Sequence, residues 1–348
     1  MLVKQGGTLK DSVIPGLKKA GIFFVYTDGG EDLIHSVYRQ KTVSELLKIM
    51  RCFILSGGED AGILKKYGED DIKRFLSAAN ETGNRIAYGH IFRFFASEMA
   101  DSLNENEKQV YDFMDYRNRD NYNGYHAVNT ACIAGVMAHN LGLNDAEKAD
   151  AITGVLLCDV KMNIYKFVNE NRELTGPEKD EMRQHAVLGF DLTRKIYGIP
   201  ARAALITAQH HERNDGSGYP KGLKGSGINH LSAIAGIADV YDAMTSPRPY
   251  RAAFTPHEAW LYITSNSGKI FEKEAADEFG RCVPAFFPGD TVELNGGETA
   301  EVTQNSYGHP LQPSIKLIEK TGKSAIISCT DSGKKILRTT GTIRQKEL

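Results

Sequence analysis

The stretch from His210 to Leu223, HHERNDGSGYPKGL, concentrates side chains that can do chemistry. It opens on two adjacent imidazoles, followed by a glutamate and, four residues after the second histidine, an aspartate. Consecutive side chains on a helix diverge by about 100°, which suits one ligand to each of two neighbouring metal ions. Behind them, Gly216, Gly218 and Gly222 allow positive φ and close backbone approach, while Pro220 fixes its own φ. Tyr219 is left presented between Gly218 and Pro220. Taken alone, the stretch reads equally well as a chance histidine pair before a surface turn. Convergence of other ligand-type residues decides between the two readings.

The elements around it are helical. HAVNTACIAGVMAHNLGL opens on His126 and carries small residues that permit close helix packing. KADAITGVLLCDVKM is apolar until Cys158 and Asp159 interrupt it, and an aspartate after such a run is costly unless paired or metal-bound. LTGPEKDEMRQHAVLGFDLTRKIYG begins with a capping box, Thr175 with Glu178, and Pro177 in the first turn. That phase puts His185, Gly189, Leu192 and Ile196 on one inward stripe. PARAALITAQHHE carries His210 and His211 at its end, and the apolar face of IAGIADVYDAM buries Asp239, with Asp242 three residues on. The inward polar set is therefore His126, Asp159, His185, His210, His211 and Asp239. Six such groups in apolar helices carry a heavy desolvation cost without a cation to offset it. Imidazole and carboxylate donors without a thiolate pair suit two divalent ions, Fe, Mn or Zn, sharing a bridging carboxylate. Such a centre hydrolyses phosphoesters through a metal-bridging hydroxide. Arg248 and Arg251, in the SPRPYR turn, supply guanidinium geometry for the phosphate oxygens.

HHERNDGSGYPKGLKGSGI followed by IADVYDAMTSPRPYR resembles the signature of the HD-GYP family, helical HD-superfamily phosphodiesterases acting on cyclic di-GMP. The resemblance runs from about Tyr111 to Cys282. It implies that His126 is the first ligand, that Asp159 bridges both metals, and that His185, His210, His211 and Asp239 complete the shell. It places Tyr219, within the Gly218-Tyr219-Pro220 loop, against the substrate, and Arg248 and Arg251 on its phosphate. The chain departs from the family where the HD pair reads Cys158-Asp159. The lysine expected at position 162 is replaced by Met162, with Lys161 one place early as the stand-in catalytic lysine. The arginine expected six residues before Asp239 is Ala233, and Tyr122 stands where some members carry a glutamate for a third metal. Cys158 reads equally as a thiolate ligand or as a small buried hydrophobe beside the site.

The remaining chain sets the frame. Its 348 residues accommodate two to three domains, and a net charge of −2 argues against a surface that coats DNA or membrane. No apolar run approaches the roughly 20 residues of a spanning helix. The five scattered cysteines read as reduced thiols of a cytoplasmic protein. The expected fold is mostly α: an N-terminal accessory region over 1–104, starting with a short helix and a strand, IFFVY, and then helical. An HD-type bundle over 105–283 and a small β-module over 284–348 follow, and the N-terminal strand is able to join that module. The leading function is hydrolysis of cyclic di-GMP to a linear dinucleotide or mononucleotide in bacterial signalling. A catalytically weak receptor for cyclic di-GMP or for partner proteins is the rival, favoured by Cys158 and Met162. Hydrolysis of another nucleotide is a third reading, and a homodimer or a signalling-protein partner stays open.

Overall fold

The computed structural model describes residues 88–111, 122–170, 172–196, 198–247, 252–318 and 326–342. The expected IFFVY strand and the helices read before residue 88 lie outside the described residues, as do Arg248 and Arg251. Helices α1 (Tyr88–Leu103), α2 (Tyr122–Asn140), α3 (Asp145–Leu156), α4 (Gly176–Met182), α5 (His185–Thr193), α6 (Ala201–Gln209), α7 (His230–Thr245), α8 (Pro256–Ser265) and α9 (Lys273–Cys282) come first. Strands β1 (Asp290–Leu294), β2 (Thr299–Gln304), β3 (Ser314–Leu317), β4 (Ile326–Ser328) and β5 (Ile336–Thr342) follow, with one helical turn, Cys329–Ser332, after β4.

Local sequence starts the helices where capping chemistry allows. Asn144, Thr175 and Thr255 each accept a bond from the amide three residues on, and Glu147, Glu178 and Glu258 return it. Burial then decides the arrangement. In α2 the run Ala131 to Ala138 is buried throughout, Gly135 included, as expected of a helix at the centre of a bundle. It packs on α1, α3, α7 and α9. Phe92, Met99 and Leu103 of α1 enter the same core as Ile133, Tyr241 and Phe279. A buried carboxylate, Asp150 of α3, ties this bundle together. It accepts from Arg93 of α1 and, at 3.0 Å, from Arg202 of α6, so the charge is paired rather than stranded. The side-chain hydrogen of Gly236 is what lets α7 cross the end of α6: a Cβ there would stand 2.6 Å from the His210 carbonyl oxygen.

The capping box at Thr175 begins a helix as expected, but that helix does not run on through His185. It breaks after Met182, whose carbonyl accepts from His185 Nδ1 at 2.7 Å, and α5 begins at the histidine. His185 and Gly189 are nevertheless buried, and Leu192 and Ile196 pack on the core from a half-buried stripe.

The strands form an antiparallel sheet in the order β4-β3-β2-β1-β5. NGG turns the β1–β2 hairpin as expected, with Gly297 at φ +81°. Val292, Leu294, Ala300, Val302 and Ile315 make a second core on one face of the sheet, and Trp260 of α8 touches both cores. Among the described residues, no helix is long and apolar enough to cross a membrane.

Candidate metal centre

Five segments deliver six ligand-type side chains to one place. His126 stands in the second turn of α2, Asp159 in the turn just past α3, and His185 at the start of α5. His210 caps α6, His211 follows it, and Asp239 lies within α7. Their ligand atoms fall into two groups, each within 4.8 Å: Asp159, His185, His210 and His211 in one, His126, Asp159 and Asp239 in the other. Asp159 is common to both.

The geometry within the groups is that of lone pairs facing each other. His185 Nδ1 donates to the Met182 carbonyl at 2.7 Å and His210 Nδ1 to the Thr207 carbonyl at 3.0 Å. A carbonyl oxygen only accepts, so both hydrogens sit on Nδ1 and both Nε2 atoms are bare in the neutral rings. These bare atoms stand 3.4 Å apart, and His211 Nε2 is 3.2 Å from that of His185. Asp159 Oδ1 lies 3.4 Å from His185 Nε2 and 3.8 Å from His210 Nε2, buried and without a hydrogen bond. In the second group, His126 Nε2 is 2.9 Å from Asp239 Oδ1 and 3.6 Å from Asp159 Oδ2. Acceptors packed so closely repel unless positive charge lies among them, and the donor set, all imidazole and carboxylate, fits divalent Mn, Fe or Zn.

The titration of the groups agrees. Burial works to raise Asp159, but the closeness of His210 and the charges of His185 and His126 hold it well below the usual carboxylate range. Asp239 is likewise held low against burial by the closeness of His126 and the charge of His211. Burial lowers His185, and burial followed by the charge of His210 pushes His211 far down. His210 rises well above its ordinary value, because Cys158 and Asp159 outweigh its burial. The protein thus holds ionised carboxylates and, at His185 and His211, neutral imidazoles, the forms that ligate.

Helix α6 ends at Gln209, so His211 already lies in a turn; the two rings are 4.0 Å apart and tilted by 42°, and His211 turns Nε2 toward His185 at 3.2 Å and Nδ1 toward Asp239 Oδ2 at 3.7 Å. Tyr219 is not simply presented by its loop. Its ring is half-buried and stacks on His211, with centroids 4.6 Å apart and an interplanar angle of 26°. Its hydroxyl is pushed up by burial and then by the charges of Asp239 and Asp159, so it remains a neutral donor. The Arg183 guanidinium carbon lies 5.4 Å from the same ring's centre.

Cys158 belongs to neither donor group. Its thiol donates to the Gly154 carbonyl at 3.3 Å, and burial raises its pKa even though His210 draws it down. Lys161 is half-buried ahead of a 3₁₀ turn, Met162–Ile164. Gly218 has no room for a side chain, since a Cβ would stand 2.4 Å from the His211 carbonyl oxygen. Pro220 is exposed.

Two contributors carry no sequence-based assignment. Asp242 Oδ2 accepts from His126 Nδ1 at 2.7 Å. Its signal was its position, one turn beyond Asp239 on the same buried face. Glu212 is buried and accepts from the Lys221 and Leu223 amides, each at 2.8 Å, which ties the glycine-rich loop back to the histidine pair. A glutamate directly after two histidines and before a glycine-rich loop is the available clue.

A family model described as HD domain matches residues 99–274. The cyclic di-GMP phosphodiesterase response regulator RpfG of Xanthomonas campestris pv. campestris is 36% identical over 163 residues, 45% of this chain and 40% of that protein. The cyclic di-GMP phosphodiesterase PA4108 of Pseudomonas aeruginosa is 30% identical over 200 residues, 57% of this chain and 48% of that protein. A cyclic di-GMP phosphodiesterase of Thermotoga maritima is 32% identical over 188 residues, 53% and 50% of the two chains. The chain thus spans half or less of the length of these curated relatives. The helical bundle that gathers the six ligand-type side chains is an HD domain, and the chain belongs to the HD domain family.

Proposed function

We propose that the protein is a metal-dependent phosphodiesterase that opens cyclic di-GMP to a linear dinucleotide or to the mononucleotide. The observation that carries this reading is Asp159, a carboxylate shared by two donor groups, with a buried Oδ1 facing imidazole nitrogens instead of hydrogen-bond donors. His185, His210 and His211 would hold one divalent ion with Asp159, and His126 and Asp239 the other. Two such ions supply a nucleophilic water at neutral pH and charge stabilisation at phosphorus. The chain's own part is positional. Asp159 sets the spacing of the two positions, the Nδ1 bonds of His185 and His210 aim their rings, and Tyr219 braces His211 from the loop side. Arg248 and Arg251 hold the phosphate in this reading, Tyr219 with Gly218 and Pro220 forms the wall against the base, and Lys161 serves as proton donor near the leaving oxygen.

The likeness to cyclic di-GMP phosphodiesterases supports the substrate class. The test is metal analysis of the purified chain together with turnover of cyclic di-GMP. About two equivalents of Fe, Mn or Zn and release of linear product are expected; a chain that binds no metal refutes the reading.

A second reading, a receptor that binds cyclic di-GMP with little turnover, draws on Cys158. With its thiol on the Gly154 carbonyl, the second ion keeps only His126, Asp159 and Asp239 as protein donors. Two bound metals, tight cyclic di-GMP binding and no product would select it.

A further inference from the structure

We infer that Asp242 is the positioning residue of the three-donor metal position, orienting His126 and supplying the charge that makes its imidazole a strong ligand. The inference rests on the reading that the two donor groups hold ions.

Asp242 is 1% exposed. Burying an ionised carboxylate costs several kcal/mol unless partners or a cation offset it. Its Oδ2 accepts from His126 Nδ1 at 2.7 Å and more distantly from the Ser246 hydroxyl at 3.4 Å. Nε2, on the far side of the ring from Asp242, faces Asp239 Oδ1 at 2.9 Å and Asp159 Oδ2 at 3.6 Å, so with Nδ1–H held by Asp242 it is Nε2 that would give its lone pair to an ion there. Carboxylate, imidazole and ligand cluster therefore lie in sequence, with the free electron pair aimed at the centre. In the other donor group the corresponding acceptors are neutral backbone carbonyls, of Met182 for His185 and Thr207 for His210. The carboxylate partner thus falls in the group with fewer donors, where a more basic imidazole matters most. A carboxylate behind a ligating histidine fixes its tautomer and raises its basicity, and loss of such a partner costs roughly 10–100-fold in metal affinity.

Asp242 also lies one turn beyond the ligand Asp239 and just before the end of α7. The same helix therefore contributes a direct donor and the support of the donor facing it. Thr130, one turn along α2 from His126, brings its hydroxyl to 3.5 Å from the same Nδ1, so the ring edge meets polar partners from both helices.

The experiment counts metal rather than turnover. Full-length parent, Asp242→Asn, Asp242→Ala and His126→Ala are loaded with Mn²⁺ or Zn²⁺ alone, desalted and analysed for ions per chain, and the second ion's affinity is measured by competition with a chelator dye. The parent is expected to hold two ions. Asp242→Ala and His126→Ala should keep one and bind the second at least 10-fold more weakly. Asp242→Asn, whose amide oxygen still accepts from Nδ1, should fall between, which separates charge from orientation. Melting of each chain in excess EDTA reports any purely structural loss. Equal second-ion affinity in parent and both Asp242 variants overturns the inference, including when the variants melt earlier without metal. A parent that binds no ion overturns the metal reading instead. Should Asp242→Ala fail to fold, the near-isosteric Asp242→Asn decides alone: unchanged second-ion affinity overturns the inference and weakened affinity supports it.

Discussion

Glu212→Gln isolates the tether that holds the glycine-rich loop over the histidines. In the parent, Oε1 accepts from the Lys221 amide and Oε2 from the Leu223 amide, both at 2.8 Å, and the carboxylate is buried. Hydrogen bonds to a charged acceptor contribute about 1.5–3 kcal/mol each, and neutral ones about 0.5–1.5. Glutamine keeps one acceptor and turns an NH₂ toward the other amide, so one bond is weakened, one is lost and a backbone donor is left facing a donor. The loss sums to about 2–4 kcal/mol, falling on the loop rather than on the bundle. Hydrogen exchange of peptides covering residues 219–225 should quicken by roughly 30- to 1,000-fold, since each 1.4 kcal/mol is a factor of ten. Peptides from α2 and α3 should exchange as in the parent. Unchanged protection at Lys221 and Leu223, or an equal rise across the whole chain, would refute the reasoning. Tyr219 should keep part of its order, because its own amide donates to the His211 carbonyl at 3.1 Å.

Further outcomes are expected. Chelation by EDTA should lower the melting temperature, because an ion present at 100 times its dissociation constant contributes about 2.7 kcal/mol to stability; an unchanged melt counts against a resident metal. Cys158→His should raise occupancy of the three-donor position if the ring reaches it, at an overpacking cost of about 1–3 kcal/mol, and a stable variant with the parent's metal content and turnover assigns Cys158 to packing alone. Arg251→Ala should weaken cyclic di-GMP binding by about 1–3 kcal/mol without altering the melt, and unchanged affinity removes it from the phosphate site. Glu178 is held down to about 2, first by its bond to Arg172 and then by the Thr175 amide. A depressed carboxyl stabilises the fold above its unfolded value of about 4.5 and loses that effect as pH falls toward 2, so the α4 cap should persist at pH 4 and open near pH 2 in an NMR titration of Glu178.

The convergence of six polar side chains was legible because burial and polarity conflict in sequence. A lone aspartate after GVLL, or one inside IAGIADVYDAM, is too costly in an apolar run to be ordinary, and six such conflicts point to one centre. The break between α4 and α5 was not legible. It comes where the Met182 carbonyl accepts from His185 Nδ1, a contact that a periodic pattern cannot encode. The placing of the His210 and His211 rings was not legible for a related reason: helical spacing applies only while the helix continues, and α6 ends at Gln209. The role of Asp242 depends on which nitrogen of His126 faces it, across 116 residues of sequence. Hairpin and sheet were easier, since NGG between alternating segments is a local signal.

The charge of the centre bears on what it can bind. Asp159 and Asp239 are held ionised, and His185 and His211 neutral, so if two divalent ions occupy the centre as proposed, with His210 neutral as a ligand, about two negative charges from the protein would meet about four positive ones. Asp242 behind His126 removes one more, at the distance of a ring. What remains is a modest positive excess, matched to a phosphodiester, which carries one negative charge per linkage. A thiolate at Cys158 would cut into that excess and favour a softer ion. The observed thiol adds no charge, because burial raises its pKa and its hydrogen goes to the Gly154 carbonyl. The departure from the His-Asp pair therefore removes a donor without adding a fixed negative charge. On this reasoning the variant pair should weaken the hold on one ion far more than it weakens attraction for the anionic substrate.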